Sequence, residues 1–91
     1  MQVIGKGSFY RDWQQVHNRA LSISLRNKIS EIESANNISQ ISHLKNLRKF
    51  VSTSKIEIKA GRKTYWILCK ILGDTVVFVR LKSERYFKKN L

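Results

Sequence analysis

The spacing of apolar residues changes from a helical to a strand period near Lys55, and this change limits what the chain can fold into. Upstream, Phe9, Trp13 and Val16 recur every three to four residues, as on the buried face of an amphipathic helix. From Lys55 onward the period becomes two, which is typical of half-buried strands. A helical first part followed by consecutive strands predicts an α+β domain, with helices packed on one face of an antiparallel sheet.

Two helices are predicted in the N-terminal part, meeting near Asn18 and folding as an antiparallel pair. Ser8 is the predicted N-cap of a first helix that begins at Phe9. Asn36 and Asn37 tolerate the left-handed conformation found at helix ends, so the second helix is expected to end there. The second helix has its own apolar stripe, formed by Leu21, Leu25, Ile29 and Ile32.

Three antiparallel strands are predicted after the helices. KIEIK (55–59) alternates as a half-buried strand, AGRKT (60–64) is a turn, and YWILCKIL (65–72) is apolar on both faces, as a central strand would be. Gly73-Asp74 then makes a tight hairpin turn into TVVFVRLK (75–82). Cys69 alternates with apolar neighbours and is expected to be a buried, inert thiol.

Two shorter segments complete the predicted order. The sequence allows an opening strand at MQVI (1–4), and the three-residue spacing of the apolar residues from Ile38 to Leu47 predicts a short helical turn. The expected architecture is (β)ααβββ, a helical hairpin on a three- to four-stranded antiparallel sheet. A chain of 91 residues with no linker is expected to form a single domain, 1–91.

Positive charge is concentrated in the second half of the chain. Eighteen Lys and Arg against six Asp and Glu give a net charge of +12. Residues 1–44 contribute +2 of this, from five basic and three acidic side chains, and residues 45–91 contribute +10, from thirteen and three. This exceeds what solubility needs, so the second half is expected to bind a polyanion, either nucleic acid or an acidic protein.

Composition argues against several other classes. The longest apolar runs, TYWILC and TVVFV, are far shorter than the roughly 20 residues of a membrane span. No secretory signal opens the chain, so a cytoplasmic protein is expected. One cysteine and two widely spaced histidines do not suit an internal disulfide or a zinc site, and no cofactor is expected.

The order of several short segments resembles that of a known toxin superfamily. The segments are, in chain order, FYRDWQQV, ISEIESANNISQI, HLKNLRKF, KIEIK, YWILCKI and GDTVVFVRL. On a small, strongly basic chain, this order is similar to that of the RelE/ParE superfamily of type II toxin-antitoxin toxins. The resemblance implies a toxin that arrests growth and is neutralised by a cognate antitoxin protein.

The superfamily contains two kinds of activity on one fold. RelE-like members cut mRNA, usually on the ribosome, and so inhibit translation; ParE-like members inhibit DNA gyrase through a protein contact. The basic second half favours a RelE-like, metal-independent endoribonuclease whose partners are mRNA and the ribosome. A non-enzymatic inhibitor of gyrase and a non-catalytic RNA-binding module are the alternatives.

In RelE-like toxins, Lys, Arg and Tyr side chains accept a proton, offset the charge of the phosphorane and protonate the leaving oxygen. Lys55 matches the first Lys of the family's basic strand. Glu57 stands at the second position, where a carboxylate that could act as a general base replaces a phosphate-binding cation. Trp66 follows Tyr65 where many members have Arg, so Arg62 or Lys63 would have to supply that cation.

A basic loop after the last strand is expected to supply the family's arginine, and the family's C-terminal Tyr corresponds to Tyr86 or, by a one-residue slip, to Phe87. The candidate catalytic residues are therefore Lys55, Glu57, Arg62, Arg80, Lys82, Arg85 and Tyr86, and the candidate RNA-binding residues are Lys59, Lys63 and Trp66. The basic residues are expected to converge on one face, with Trp66 and Tyr86 available to stack bases. For Trp66, packing in the core or against a partner is the favoured alternative.

Overall fold

The computed structural model describes residues 1–46 and 53–86. The elements in chain order are β1 (Gln2–Gly5), α1 (Gly7–Gln15), α2 (Arg19–Ser34), a 3-10 turn (Ile38–Gln40), β2 (Leu44–Asn46), β3 (Thr53–Ala60), β4 (Lys63–Leu72) and β5 (Thr75–Ser83). The predicted α+β class, the two helices meeting near Asn18 and the three long strands are confirmed.

The sheet has five strands in the order β1-β5-β4-β3-β2. Strands β2 to β5 form an antiparallel meander, and the predicted opening strand is present as β1. Two details of the prediction were wrong. β1 pairs parallel to β5, and β2 was missed because a strand of three residues is too short to show a period of two. Leu44 therefore begins a strand, only Ile38–Gln40 forms the predicted helical turn, and Leu47 lies outside the described residues.

The helices and one face of the sheet enclose the core. α1 packs on β5, and α2 packs on β3 and β1. Leu21, Leu25 and Ile32 of α2 are fully buried, as their spacing predicted, and Ile29 is partly buried. The sheet contributes mainly the side chains that alternate toward the helices, namely Ile56, Ile58, Ala60, Tyr65, Ile67, Cys69, Val76, Phe78 and Leu81. Among these, Cys69 is the buried thiol that was predicted, and burial raises its pKa to about 12.

The two helix ends differ from the prediction. α1 begins at Gly7, two residues earlier than expected, and Ser8 does not cap it. The Ser8 hydroxyl instead donates to the Val79 carbonyl (2.6 Å), because β1 has ended there and that carbonyl would otherwise lack a partner strand. α2 ends at Ser34, and Asn37 adopts an extended conformation and accepts a hydrogen bond from the Ser39 amide.

The two long hairpins turn at glycines with positive φ. Gly61 (φ 65°) lies between β3 and β4, and Gly73 (φ 61°) lies between β4 and β5. The left-handed region favours glycine, which has no Cβ to clash. The β3–β4 turn is shorter than the predicted 60–64, because Lys63 and Thr64 already belong to β4.

An ion pair between a buried lysine and a partly exposed glutamate ties the segment before β2 to α2. Lys28 is only 8% exposed, and its ammonium donates to both Glu31 carboxylate oxygens (3.1 and 3.2 Å) and to the carbonyl and hydroxyl of Ser42. The Ser42 amide in turn donates to Glu31 (2.9 Å). Burial alone would raise the pKa of Glu31, but the hydrogen bonds from Ser42 and Lys28 outweigh it and lower that pKa. The pair therefore fixes where the chain enters β2.

Replacing Glu31 with alanine is expected to lower the free energy of unfolding by about 1–3 kcal/mol, because the buried Lys28 ammonium loses its carboxylate. Urea denaturation should show a lower midpoint at an unchanged slope. Glu33→Ala, an exposed position on the same helix, is the control and should change the stability by less than about 0.5 kcal/mol. Equal midpoints for the two variants would contradict the anchoring role.

Candidate nucleic-acid interface

The sheet face turned away from the helices carries most of the predicted functional residues. Alternation along β3, β4 and β5 sends every second side chain to this face, and no described helix packs on it. We call it the basic face and define it by its six cations, Lys45, Lys55, Lys59, Lys70, Arg80 and Lys82. The carboxylate of Glu57 lies among them.

The strand register arranges these residues in rows that cross the sheet. In one row, Trp66 on β4 lies between Glu57 on β3 and Lys82 on β5. Neighbouring strands are about 4.8 Å apart, so the Cα atoms of the two outer residues of such a row are separated by about 10 Å. A carboxylate and an ammonium therefore flank a central aromatic ring.

The next row along the strands adds further cations. Leu68 on β4 lies between Lys55 on β3 and Arg80 on β5, and Lys45 on β2 lies opposite Lys55. β5 is irregular beside this row, where its register against β4 shifts between Leu68 and Cys69. The two rows bring together cations from three strands.

Trp66 is a buried support for the cations around it. Its side chain is only 6% exposed, and the Lys55 ammonium lies 4.2 Å from the ring centroid, with the Lys45 ammonium at 6.0 Å. Such cation–π contacts hold an ammonium in position without cancelling its charge. Trp66 lies on the sheet face opposite the helices, and stacking of a base on its ring would require Lys55 to move.

α1 completes the edge of β5 beyond the end of β1. The Lys6 amide donates to the Phe78 carbonyl (2.9 Å), and one residue further along β5 the Ser8 hydroxyl donates to the Val79 carbonyl. Asp12, one turn after Ser8, accepts a hydrogen bond from the Leu81 amide (2.9 Å). The helix side chains thus replace the hydrogen bonds that a longer β1 would have made.

The same Asp12 carboxylate fixes two cations of the basic face. Arg80 donates to it through Nε (2.8 Å) and Nη2 (3.3 Å), and the Lys82 ammonium lies 3.5 Å away. Asp12 is 8% exposed, so its interactions are weakly screened by water. Burial alone would raise the pKa of Asp12, but the hydrogen bonds from Arg80 and Leu81 and the charges of Lys82 and Arg80 outweigh it and lower that pKa.

Tyr86 joins Arg80 and Lys82 beyond the end of β5. The Lys82 ammonium lies 5.0 Å from the Tyr86 ring centroid, and the side chain of Tyr86 is 41% exposed. The pKa of Arg80 is raised, first by its hydrogen bond to Asp12 and further by the charge of Asp12. A phenol is therefore placed beside two cations, and Phe87, its alternative in the sequence, lies outside the described residues.

Not all candidate residues lie on the basic face. Arg62 is exposed in the β3–β4 turn, and Arg85 is exposed two residues after β5 ends. The expected convergence was wrong for Lys63. Its partner across the strands is Ala60, which is buried against the helices, so Lys63 projects on the helix side of the sheet. The reason is the short β3–β4 turn, which makes Lys63 part of a strand and fixes the side of the sheet to which it points.

Sequence reasoning missed the role of Asp12, although a signal was present. Asp12 lies three residues after Phe9 and four before Val16, within the apolar stripe of α1 rather than on its solvent side. A carboxylate at such a position is buried and needs donors from another element. Lys45 was also missed as a member of the site, because β2 was missed.

The described residues contain no candidate metal site and no candidate membrane-spanning helix. None of their His, Cys, Asp and Glu side chains form a group of three or more that could hold a metal. Among the described helices, none has both the length and the apolar character needed to cross a membrane.

The fold is similar to that of a solved toxin-antitoxin structure. No protein-family model matches the sequence, and no curated protein matches it. A chain of the crystal structure of the RelB-RelE antitoxin-toxin complex from Methanococcus jannaschii superposes with a TM-score of 0.73 at 19% sequence identity, over 94% of this chain and 95% of that chain. The RelE-like fold predicted from the sequence is confirmed.

The lowered pKa of Asp12 predicts a specific loss of stability in acid. A group with a lowered pKa in the folded state stabilises the fold fully above its unfolded pKa, 3.8 for Asp12, and this contribution is lost as the pH falls through the folded value. Asp12→Asn is expected to be less stable than the unmodified protein at pH 7. The gap in unfolding free energy should shrink as the pH falls from about 5 toward 2.

Urea denaturation at a series of pH values measures this gap. Asp74→Asn is the control, because Asp74 lies exposed in the β4–β5 turn. Its stability curve should run parallel to that of the unmodified protein. A gap for Asp12→Asn that stays constant with pH would contradict the ion pair.

Proposed function

We propose that this protein is the toxin of a type II toxin-antitoxin pair, a RelE-like endoribonuclease that cuts mRNA on the ribosome and inhibits translation. The observation that carries the proposal is the basic face, where six cations and the Glu57 carboxylate lie on a rigid sheet. The likeness of the fold to a chain of the RelB-RelE antitoxin-toxin complex supports it. A cognate antitoxin is the proposed partner that neutralises the toxin.

The basic face suits the backbone of a single RNA strand. Lys and Arg bind phosphate oxygens, and the charge of +12 steers polyanions toward the protein. Lys55 is held over Trp66 and Lys82 beside Tyr86, so their ammonium groups are positioned before RNA arrives. Arg80 and Lys82 together exceed the charge of the one carboxylate between them, Asp12, so a phosphate still meets net positive charge there.

The proposed reaction is transfer of the phosphate to the neighbouring 2′-hydroxyl. The 2′-oxygen attacks phosphorus, the bond to the 5′-oxygen breaks, and a 2′,3′-cyclic phosphate and a 5′-hydroxyl are formed. Attack and departure occur on opposite sides of phosphorus, so the proton acceptor and the proton donor must also be on opposite sides. Glu57 and Lys82 flank Trp66, and Tyr86 lies beside Lys82, so the proton acceptor Glu57 and the proton donor Tyr86 are on opposite sides of the ring.

Four side chains then have a role in this reaction. Glu57 accepts the proton of the 2′-hydroxyl. Lys55 and Arg80 offset the charge that develops on the phosphorane oxygens. Tyr86, beside Lys82, donates the proton to the leaving 5′-oxygen. No step requires a metal ion.

Primer extension on a defined mRNA incubated with the purified protein, with and without ribosomes, tests the activity. Cuts that require ribosomes are expected. The double variant Lys55→Gln/Lys82→Gln should weaken cutting by about 100-fold or more, because one charge that offsets the phosphorane and the cation beside the proton donor Tyr86 are both removed. Arg11→Gln/Arg26→Gln, at exposed positions on the helices, is the matched control and should cut normally.

Glu57→Gln separates catalysis from binding. Removing a general base is expected to slow cleavage by about 10²–10⁴-fold. Removing a negative charge from the basic face should leave the Kd for a non-cleavable RNA unchanged or slightly lower. Single-turnover rates and fluorescence anisotropy measure the two quantities, and cleavage at the normal rate would exclude Glu57 as the base.

A ParE-like inhibitor of DNA gyrase is the second candidate. Two observations favour it: Trp66 stands buried where many RelE-like toxins carry an arginine, and Glu57 replaces a phosphate-binding cation. If primer extension gives no cuts and the protein inhibits supercoiling by purified gyrase, this alternative replaces the ribonuclease.

A further inference from the structure

A cavity of about 700 Å³ lies on the helix side of the sheet, outside the basic face. The segment that joins α1 to α2 forms one wall, and the start of β4 and the end of β5 form the other. Its volume falls within the roughly 300–1,000 Å³ that is usual for small-molecule sites. None of the four side chains with a role in the proposed reaction lines it, and of the six cations of the basic face only Lys82 does.

Three of the four charged side chains around the cavity are cations, and these three come from three elements. Arg19 begins α2, Lys63 begins β4 and Lys82 lies near the end of β5, and His17 adds an imidazole. Arg19 and Lys63 are both exposed, so their charged ends can meet a ligand. The carboxylate in the lining, Asp12, already accepts hydrogen bonds from Arg80 and Leu81. The cavity therefore favours an anion.

The cavity also has an apolar part. Val16, Tyr65 and Leu81 line it beside the cations. A ligand that combines a phosphate with a ribose and a base matches such a mixed lining better than a simple inorganic anion does, because both parts of its surface are covered.

Lys82 connects the cavity to the basic face. Its ammonium lies 5.0 Å from the Tyr86 ring and 3.5 Å from Asp12, and the same side chain lines the cavity. A strand of RNA that leaves the basic face at Lys82 therefore meets Lys63 and Arg19 next.

We propose that this cavity binds one nucleotide of single-stranded RNA, adjacent to the nucleotides on the basic face, with its phosphate held by Arg19, Lys63 and Lys82. The proposal rests on the proposed function, since it requires that the basic face binds RNA. It extends the RNA path around the end of the sheet, to the side that carries the helices.

The double variant Arg19→Glu/Lys63→Glu tests the site, with Arg11→Glu/Arg26→Glu as the matched control. Both variants change the net charge by the same amount, and neither Arg11 nor Arg26 lines the cavity. Glutamate at the first position of α2 suits the helix dipole, so the fold should tolerate it. The Kd for a single-stranded RNA, measured by fluorescence anisotropy against salt concentration, is expected to rise about tenfold more for the cavity variant than for the control. The slope of log Kd against log salt should fall by about 0.7, because the one phosphate held in the cavity is no longer neutralised.

The location is tested by titrating the unmodified protein with adenosine 5′-monophosphate and recording amide chemical shifts. Changes at residues 16–20, Lys63 and Ser83 are expected. Changes confined to the basic face would overturn the proposal, as would equal RNA affinities for the cavity variant and its control.

Failure of the proposed function gives a different result. If the unmodified protein does not bind RNA at all, the proposed function fails and the RNA subsite fails with it. If adenosine 5′-monophosphate then still shifts the cavity amides, the cavity is a site for a free nucleotide, and its assignment to RNA is overturned.

Discussion

The Asp12 carboxylate is the contact on which the arrangement of the rest depends. β1 is too short to pair with the whole of β5, so the Leu81 amide would be left without a partner where β1 ends. Asp12 satisfies that amide from α1 and, with the same two oxygens, binds Arg80 and Lys82. One side chain therefore attaches the first helix to the sheet and sets the position of two cations on the opposite face. The cost of burying a carboxylate is offset by these three donors, which is also why its pKa is lowered.

The two faces of the sheet differ in character, one apolar and the other cationic. One face packs Ile56, Ile67 and Phe78 against the helices and supplies most of the core. The other collects cations that repel one another and would be costly in a core. Trp66 makes this tolerable, because its ring gives Lys55 and Lys45 an attractive contact at the centre of the face. Aromatic rings thus hold cations in position without cancelling their positive charge. The Asp12 carboxylate also holds cations in position, but it partly cancels their charge.

Much of the fold could be predicted from local pattern. The helical stripes, the alternation in β3, the glycine turns and the buried Cys69 all express periods of a few residues, which a single sequence displays directly. The errors share a different cause. β2 is too short to show the strand period of two residues. The Ser8 hydroxyl binds the Val79 carbonyl instead of capping the helix. Lys63 lies on the helix side of the sheet because the β3–β4 turn is short. Each of these features depends on a contact with a residue distant in sequence, and no local sequence pattern predicts such a contact.

The sequence by itself determined that the chain has helices followed by a meander, a basic second half and a set of Lys, Arg and Tyr residues near the strand ends. Propensity, period and net charge are properties of residues and their near neighbours, so they can be read without a structure. Only the tertiary structure decided that Asp12 binds Arg80 and Lys82, that Lys55 covers Trp66, and that Lys63 and Arg19 share a cavity with Lys82. These contacts join residues up to 70 positions apart, and they exist because strand register and the packing of α1 on the edge of β5 bring those side chains within a few ångströms of one another.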